Sequence, residues 1–229
     1  MIFTGVNDVR VPVLIPKRGK GHNEVMAHFR VHSTSKVAPI EFIRLLNACA
    51  GKTFVVSDTQ TLAKNMVNEL NLKNAVVTLD FSLMLDRVSP SYATVYFPLV
   101  CSYVGSYARG GKSEEPSISV TIPVHIRDIY PTAGELVFTV FNPGHLLSED
   151  LVDHVQKSTG VVLYPLSAKE EQVSLQQMLG AGLSAYEYLT RVQESSRDKK
   201  LGSGGKAEIS IRDTYRMYGF NYAASWRNL

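Results

Sequence analysis

The sequence predicts an α+β fold: an antiparallel sheet carrying helix pairs on one face, built from two similar modules in tandem. Apolar residues alternate with polar ones over most of the chain, the period-2 rhythm of half-buried strands. Stretches with helical spacing interrupt that rhythm. The order strand, strand, helix, helix, strand, strand then largely recurs without residue-level repetition, which divides the chain into a first ββααββ module, 1–110, and a second ββα-type module with C-terminal strands, 111–229.

Val9, Val11, Val13 and Ile15 alternate with polar or turn-compatible residues, and the turn PKRGKG leads into EVMAHFRVHS, so the chain opens with a hairpin. Pro39 introduces a helix with Ile40, Ile43, Leu45 and Leu46 at helical spacing, stopped by Gly51. A second helix, SDTQTLAKNMVNELN, takes Ser57 or Asp58 as N-cap and presents Leu62, Met66, Val67 and Leu70. Two long alternating runs, AVVTLDFSLMLDRV and SYATVYFPLVCSYVGSYA, form the next hairpin around Ser89-Pro90. After ARGGKSEEP the alternation resumes at Ile118 to Ile126 and at Leu136 to Val140. SEDLVDHVQKSTG reads as a capped helix ending at Gly160, VVLYPLS as a short strand, and KEEQVSLQQMLGAGLSAYEYLTRVQES as one long helix. SSRDKKLGSGGK has the composition of a mobile linker. The closing strands, Ala207 to Trp226, hold five aromatics in a short span and are expected to dock as an ordered pair, because so large an apolar patch is rarely left in solvent.

With 229 residues, 45% of them hydrophobic, the chain can build one large or two small cores. Its net charge of +3 is too mild for a dedicated nucleic-acid binder, which shows a clustered basic face, although a polyanionic small molecule stays open. There is no charged and apolar leader at Met1 and no apolar run of membrane-spanning length, so a cytoplasmic protein without a membrane partner is expected. Cys49 and Cys101 lack the number and spacing of a disulfide framework or a four-cysteine zinc site.

His22, His28 and His32 look at first like a metal site. They share one face of a strand, but at about 3.3 Å per residue His28 and His32 stand roughly 13 Å apart, whereas zinc ligands must all lie about 2 Å from the ion. The expected place of these histidines is the solvent side or an interface. ARGGK and GSGGK lack P-loop spacing and setting, and no nucleophile elbow occurs.

The ordered pattern resembles the type IB GTP cyclohydrolases, metal-dependent enzymes that open the guanine ring of GTP. GVNDVRVPV is similar to the family's opening strand, EVMAHFRVHST with IEFIRLLN to its strand and first helix, the run from Val77 to Tyr107 to its central hairpin, and SEDLVDHVQKSTGVVLYPL to the segment entering its active-site region. The resemblance implies the tunnelling fold, tandem modules whose sheets commonly close into oligomeric barrels. It also implies a metal that activates water. The family's Cys-Pro-Cys-Ser-Lys segment, however, corresponds here to IYPTAGELVF, without cysteine, and its later glutamates fall at Leu175 and Leu179.

No catalytic residue is therefore assigned, and no cofactor is expected. The alternative is zinc or manganese on displaced ligands. Candidate ligand-binding residues are His125, Asp128, Glu170 and Glu171, and candidate metal ligands are Cys101 and His125. Each has a bland account: Cys101 as a small core residue, the glutamates as favourable charges at a helix start, His125 as an exposed strand residue. Tyr215, Tyr218 and Trp226 are candidate interface residues, and Arg212, Arg216 and Arg227 among them leave nucleic-acid contact open. The functional expectation is a non-catalytic tunnelling-fold homologue of the family, acting as a homo-oligomeric assembly or ligand-binding module. The alternatives are a divergent cyclohydrolase-like enzyme acting on a purine or pterin, and a structural subunit of a viral or phage particle, in which case the location is the virion.

Overall fold

The computed structural model describes residues 4–19, 21–88, 94–111, 113–126, 132–160, 183–213 and 218–228. Eight strands form one sheet in sequence order: β1 (Thr4–Pro16), β2 (His22–Ser33), β3 (Asn74–Val88), β4 (Thr94–Ala108), β5 (Ser117–Ile126), β6 (Thr132–Phe141), β7 (Gly204–Asp213) and β8 (Tyr218–Arg227). Among the described residues there are four helices, α1 (Pro39–Asn47), α2 (Val56–Glu69), α3 (Ser148–Thr159) and α4 (Ala185–Asp198). None is long and apolar enough to cross a membrane. The chain divides into two compact units: Met1–Leu83 with Val100–Ser119 and Phe141–Leu147, and Met84–Leu99 with Val120–Val140 and Ser148–Leu229.

In the first unit the period-2 pattern sorts the strands as expected. Val11, Val13 and Ile15 on β1 and Val25, Ala27, Phe29 and Val31 on β2 are buried, while the residues between them face outward. Phe29 meets Phe54 edge to face, ring centroids 5.7 Å apart. On α1 the buried residues are Phe42 and Leu46, and Ile40 is 63% exposed. This corrects the expected face: positions 42, 46 and 49 follow the i, i+4, i+7 stripe that meets the sheet, and Ile40 in the first turn falls off it. The cap of α2 also differs. Val55 is the N-cap, and Asp58, three residues in, accepts the Val55 N–H at 2.8 Å. Its carboxylate reaches back to an orphan donor, so the acid marks a start three residues earlier than the acid itself. Gly105 on β4 lets α2 approach closely, since a Cβ there would stand 2.3 Å from the Gln60 nitrogen.

In the second unit α3 ends where the sequence indicates. Gly160 takes φ 72° and returns its N–H to the Gln156 carbonyl at 2.9 Å. Two expectations need correction. The stretch 169–195 is not one helix: Leu183 makes a parallel bridge to Ile126, and α4 begins only at Ala185. Ser184 sets that start, its Oγ accepting from Glu187 N at 3.1 Å while the Glu187 carboxylate accepts from Ser184 N at 2.8 Å. Nor is 195–206 a loose linker. The helix runs on through Asp198, Ser196 is fully buried, Leu201 N returns to Ser196 O at 3.0 Å, and Asn228 donates through Nδ2 to the carbonyls of Leu201 and Gly202. Charge and glycine there serve a helix stop and a strand start. The tail is a strand pair as expected, β7 and β8 running antiparallel from Gly204↔Arg227 to Asp213↔Tyr218. Trp226 is buried and stacks on Phe138 at 5.5 Å, which in turn stacks on His154 at 5.6 Å. The expected strand at 161–167 and the first part of the long helix lie outside the described residues.

Candidate functional site

The most organised group of chemically capable side chains stands on the outward face of β1, β2 and β3. The strand registers place Arg10 opposite His28 and His28 opposite Asp80, a single cross-strand row. Between Val6 and Val9 the pairing slips by one residue, and within that bulge Asp8 takes φ 57°. The left-handed region is uncommon for a non-glycine residue, although aspartate tolerates it better than most. The bulge turns the Asp8 carboxylate onto His28, whose Nδ1 hydrogen-bonds to Asp8 Oδ1. Arg10 Nη2 lies 3.4 Å from Asp8 Oδ2, and Arg30 pairs with Asp80 at 2.7 Å. The His28 hydrogen bond, the largest influence, holds the Asp8 carboxyl below its ordinary value against the opposing effect of desolvation, with the charges of Arg10 and His28 adding lesser downward contributions.

Of the three clustered histidines, His22 and His32 are exposed and His28 alone has this partner. The spacing argument against a shared metal stands, since each histidine occupies its own row. Sequence reasoning missed Asp8 because a bulge breaks the period-2 register that assigns faces. The dipeptide Asn7-Asp8, two residues that tolerate left-handed backbone, was the available signal.

The other candidates are not gathered by the described residues. Cys101 is 1% exposed, between Leu99 and Tyr103 on the inward face of β4. His125 lies on β5, and its side chain is outside the described set. Asp128, Glu170, Glu171, Leu175, Leu179, Tyr215 and Arg216 fall outside the described residues, as do the side chains of Arg212 and Tyr218. Trp226 is buried within its own unit. Among the described residues no three of His, Cys, Asp and Glu converge to hold a metal ion. The metal that the resemblance implies therefore finds no fitting donor set there.

A profile of the family described as type I GTP cyclohydrolase folE2 matches residues 3–195. The chain belongs to this family. A search of curated protein sequences finds no match. Among solved structures, a uricase from Bacillus fastidious is similar at TM-score 0.60 and 11% identity, over 99% of this chain and 93% of that one. The uricase from Arthrobacter globiformis is similar at TM-score 0.61 and 9% identity, with the same coverages, and a urate oxidase from Bacillus sp. TB-90 at 0.60 and 9%, over 100% of both. At such identities the likeness establishes the tunnelling fold and nothing further. Membership of a GTP cyclohydrolase family overturns the expectation of a non-catalytic assembly module and points to an enzyme. Two absent motif segments weigh less than a match over most of the chain.

Proposed function

We propose that this chain is a divergent cyclohydrolase-like enzyme that hydrolyses a purine or pterin-type ring and works as a homo-oligomer. The observation that carries the reading is the family match across residues 3–195 on an eight-stranded antiparallel sheet. Chemical support comes from residue type: His125, Asp128, Glu170 and Glu171 are of the types that move protons or hold a metal. They lie on β5, just after it, and in the stretch following α3, the part of the chain that resembles the approach to the family's active site. If a divalent ion binds, it supplies an acidified water. The candidates to hold it are His125 and Cys101, with Cys101 the less suited because it sits in the core.

The oligomer is supported by the sheet's ends. Among the described residues β1 and β8 each pair with a strand on one side only, and an open edge presents backbone groups that need a partner or protection. Part of the β1 edge is already covered, Gly51 N donating to Pro12 O and Phe54 N to Leu14 O.

The test is direct: purified protein with GTP, alone and with zinc or manganese added, followed by loss of guanine absorbance and release of formate. Turnover that falls at least about a hundredfold in Glu170→Gln, Glu171→Gln or His125→Ala is the expected result, the size typical of losing a proton-transfer group. If GTP and simpler purines stay intact with either metal, the reading fails.

A further inference from the structure

From the geometry on the outward face of the first unit, we infer that Asp8, His28 and Arg10 form a phosphate-binding site. The ligand is a phosphate group carried by a small molecule. The inference takes only the identity of that molecule, a purine nucleotide, from the proposed function. The site itself rests on three features of these side chains.

The backbone is the first. A bulge inserts one residue into β1 at Asp8, and that residue takes a left-handed conformation although it is not glycine. Bulges recur beside functional sites, where they re-aim a side chain, and a strained residue persists only where its surroundings hold it. Here the re-aimed group is a carboxylate, delivered to His28 Nδ1.

The donors left over are the second. With Nδ1–H donating to Asp8, the imidazole's remaining nitrogen, Nε2, is directed away from the carboxylate and has no partner among the described residues. A protonated ring presents Nε2–H to an oxyanion. Arg10 touches Asp8 only at 3.4 Å, so among the described residues most of its five donors are uncommitted, whereas Arg30 is held by Asp80 at 2.7 Å. Arg10 and His28 stand directly opposite each other in the strand register, which puts an imidazole and a guanidinium side by side on neighbouring strands.

Chemistry supplies the third. A guanidinium fork and an imidazolium N–H together suit the tetrahedral, multiply charged oxygens of phosphate. Asp8 then keeps the ring oriented through its hydrogen bond to Nδ1.

The experiment follows the ring signals of His28 by NMR in the full chain, assigned by their loss in His28→Gln. Inorganic phosphate, GTP and guanosine are added in turn. The expected result is that phosphate and GTP move the His28 signals and guanosine does not, and that GTP affinity falls at least about tenfold in Arg10→Gln and in His28→Gln. Asp8→Asn, which tolerates the same backbone but lacks the charge, weakens binding by a smaller factor, and His32→Gln leaves it unchanged. Signals that stay still with phosphate and GTP overturn the inference and leave the row as solvated ion pairs, as does unchanged GTP affinity in both variants. If GTP is turned over with affinity indifferent to Arg10 and His28, the site is lost while the enzyme reading stands. Phosphate binding that requires both residues, in a protein that turns over no purine, sustains the site and defeats the enzyme reading.

Discussion

His154 on α3 and Ser196 on α4 meet inside the second unit, Nε2 to Oγ at 3.0 Å, both side chains buried. Ser196 donates its own hydroxyl to the Val192 carbonyl at 2.6 Å, which leaves its lone pairs to accept from His154 Nε2–H. Burial first, and then the nearby Lys199 and Lys157, push the histidine down from its ordinary 6.5 to about 4, against a weaker upward pull from the Val192 carbonyl.

The sign of the pH dependence follows. The folded state disfavours the charged imidazole, so stability is full above the unfolded value and declines as pH falls from 6.5 toward 4. The loss reaches roughly 3 kcal/mol at the lower limit. Urea melts between pH 7.5 and pH 4, followed by the fluorescence of Trp226, the chain's single tryptophan, measure it. In His154→Phe the decline over this window should flatten. Equal pH slopes in the variant and the parent would exclude His154 as the cause.

Gly105 is a close-approach glycine. An added Cβ would lie 2.3 Å from Gln60 N and 2.5 Å from the Thr59 carbonyl carbon, which is helix backbone that cannot rotate away. Gly105→Ala is expected to lift α2 and cost on the order of 1 to 3 kcal/mol. At Gly110 the space is open but φ is +67°, so alanine there costs about 1 to 2 kcal/mol through backbone strain alone. Hydrogen exchange of α2 separates the two: it rises in the first variant and stays at the parent level in the second.

Ser184→Ala removes the hydroxyl that caps α4, with an expected cost of about 0.5 to 2 kcal/mol in thermal unfolding. Ser184→Asp should restore most of it. A serine position indifferent to both changes would mean that the bridge at Leu183, and not the cap, starts the helix.

Trp226→Ala opens a hole beside Phe138 and is expected to cost roughly 3 to 5 kcal/mol. Trp226→Phe should cost far less than alanine, because the buried indole N–H has no partner among the described residues and its removal relieves a desolvated donor. Urea melts followed by circular dichroism compare the two, and equal losses would show that the indole nitrogen matters.

The strands were legible because their alternation is strict. Val25 to Val31 and Ile118 to Ile126 state which side is buried with no tertiary information, and the structure buries those residues. Helix ends were less so. Asp58 and Glu187 both act from the third helical position, reaching back to a donor, and only the hydrogen bonds tell a capping acid from a cap. The candidate site was the least legible part. His28 is distant in sequence from Asp8 and Arg10 and becomes their neighbour through one strand pairing, with a bulge that shifts the face on which Asp8 stands.

By itself the sequence determined the fold class, the order of the elements from β1 to α3 and the family pattern, because period-2 and helical spacing are local properties that a core of any shape will sort. Tertiary structure decided the rest: that Ser196 is buried where charge and glycine suggested a linker, that Phe42 and not Ile40 faces the sheet, and that one of three clustered histidines is held by a carboxylate twenty residues away. Each depends on which surfaces meet, and contact across the chain carries no period that a reader of the sequence could follow.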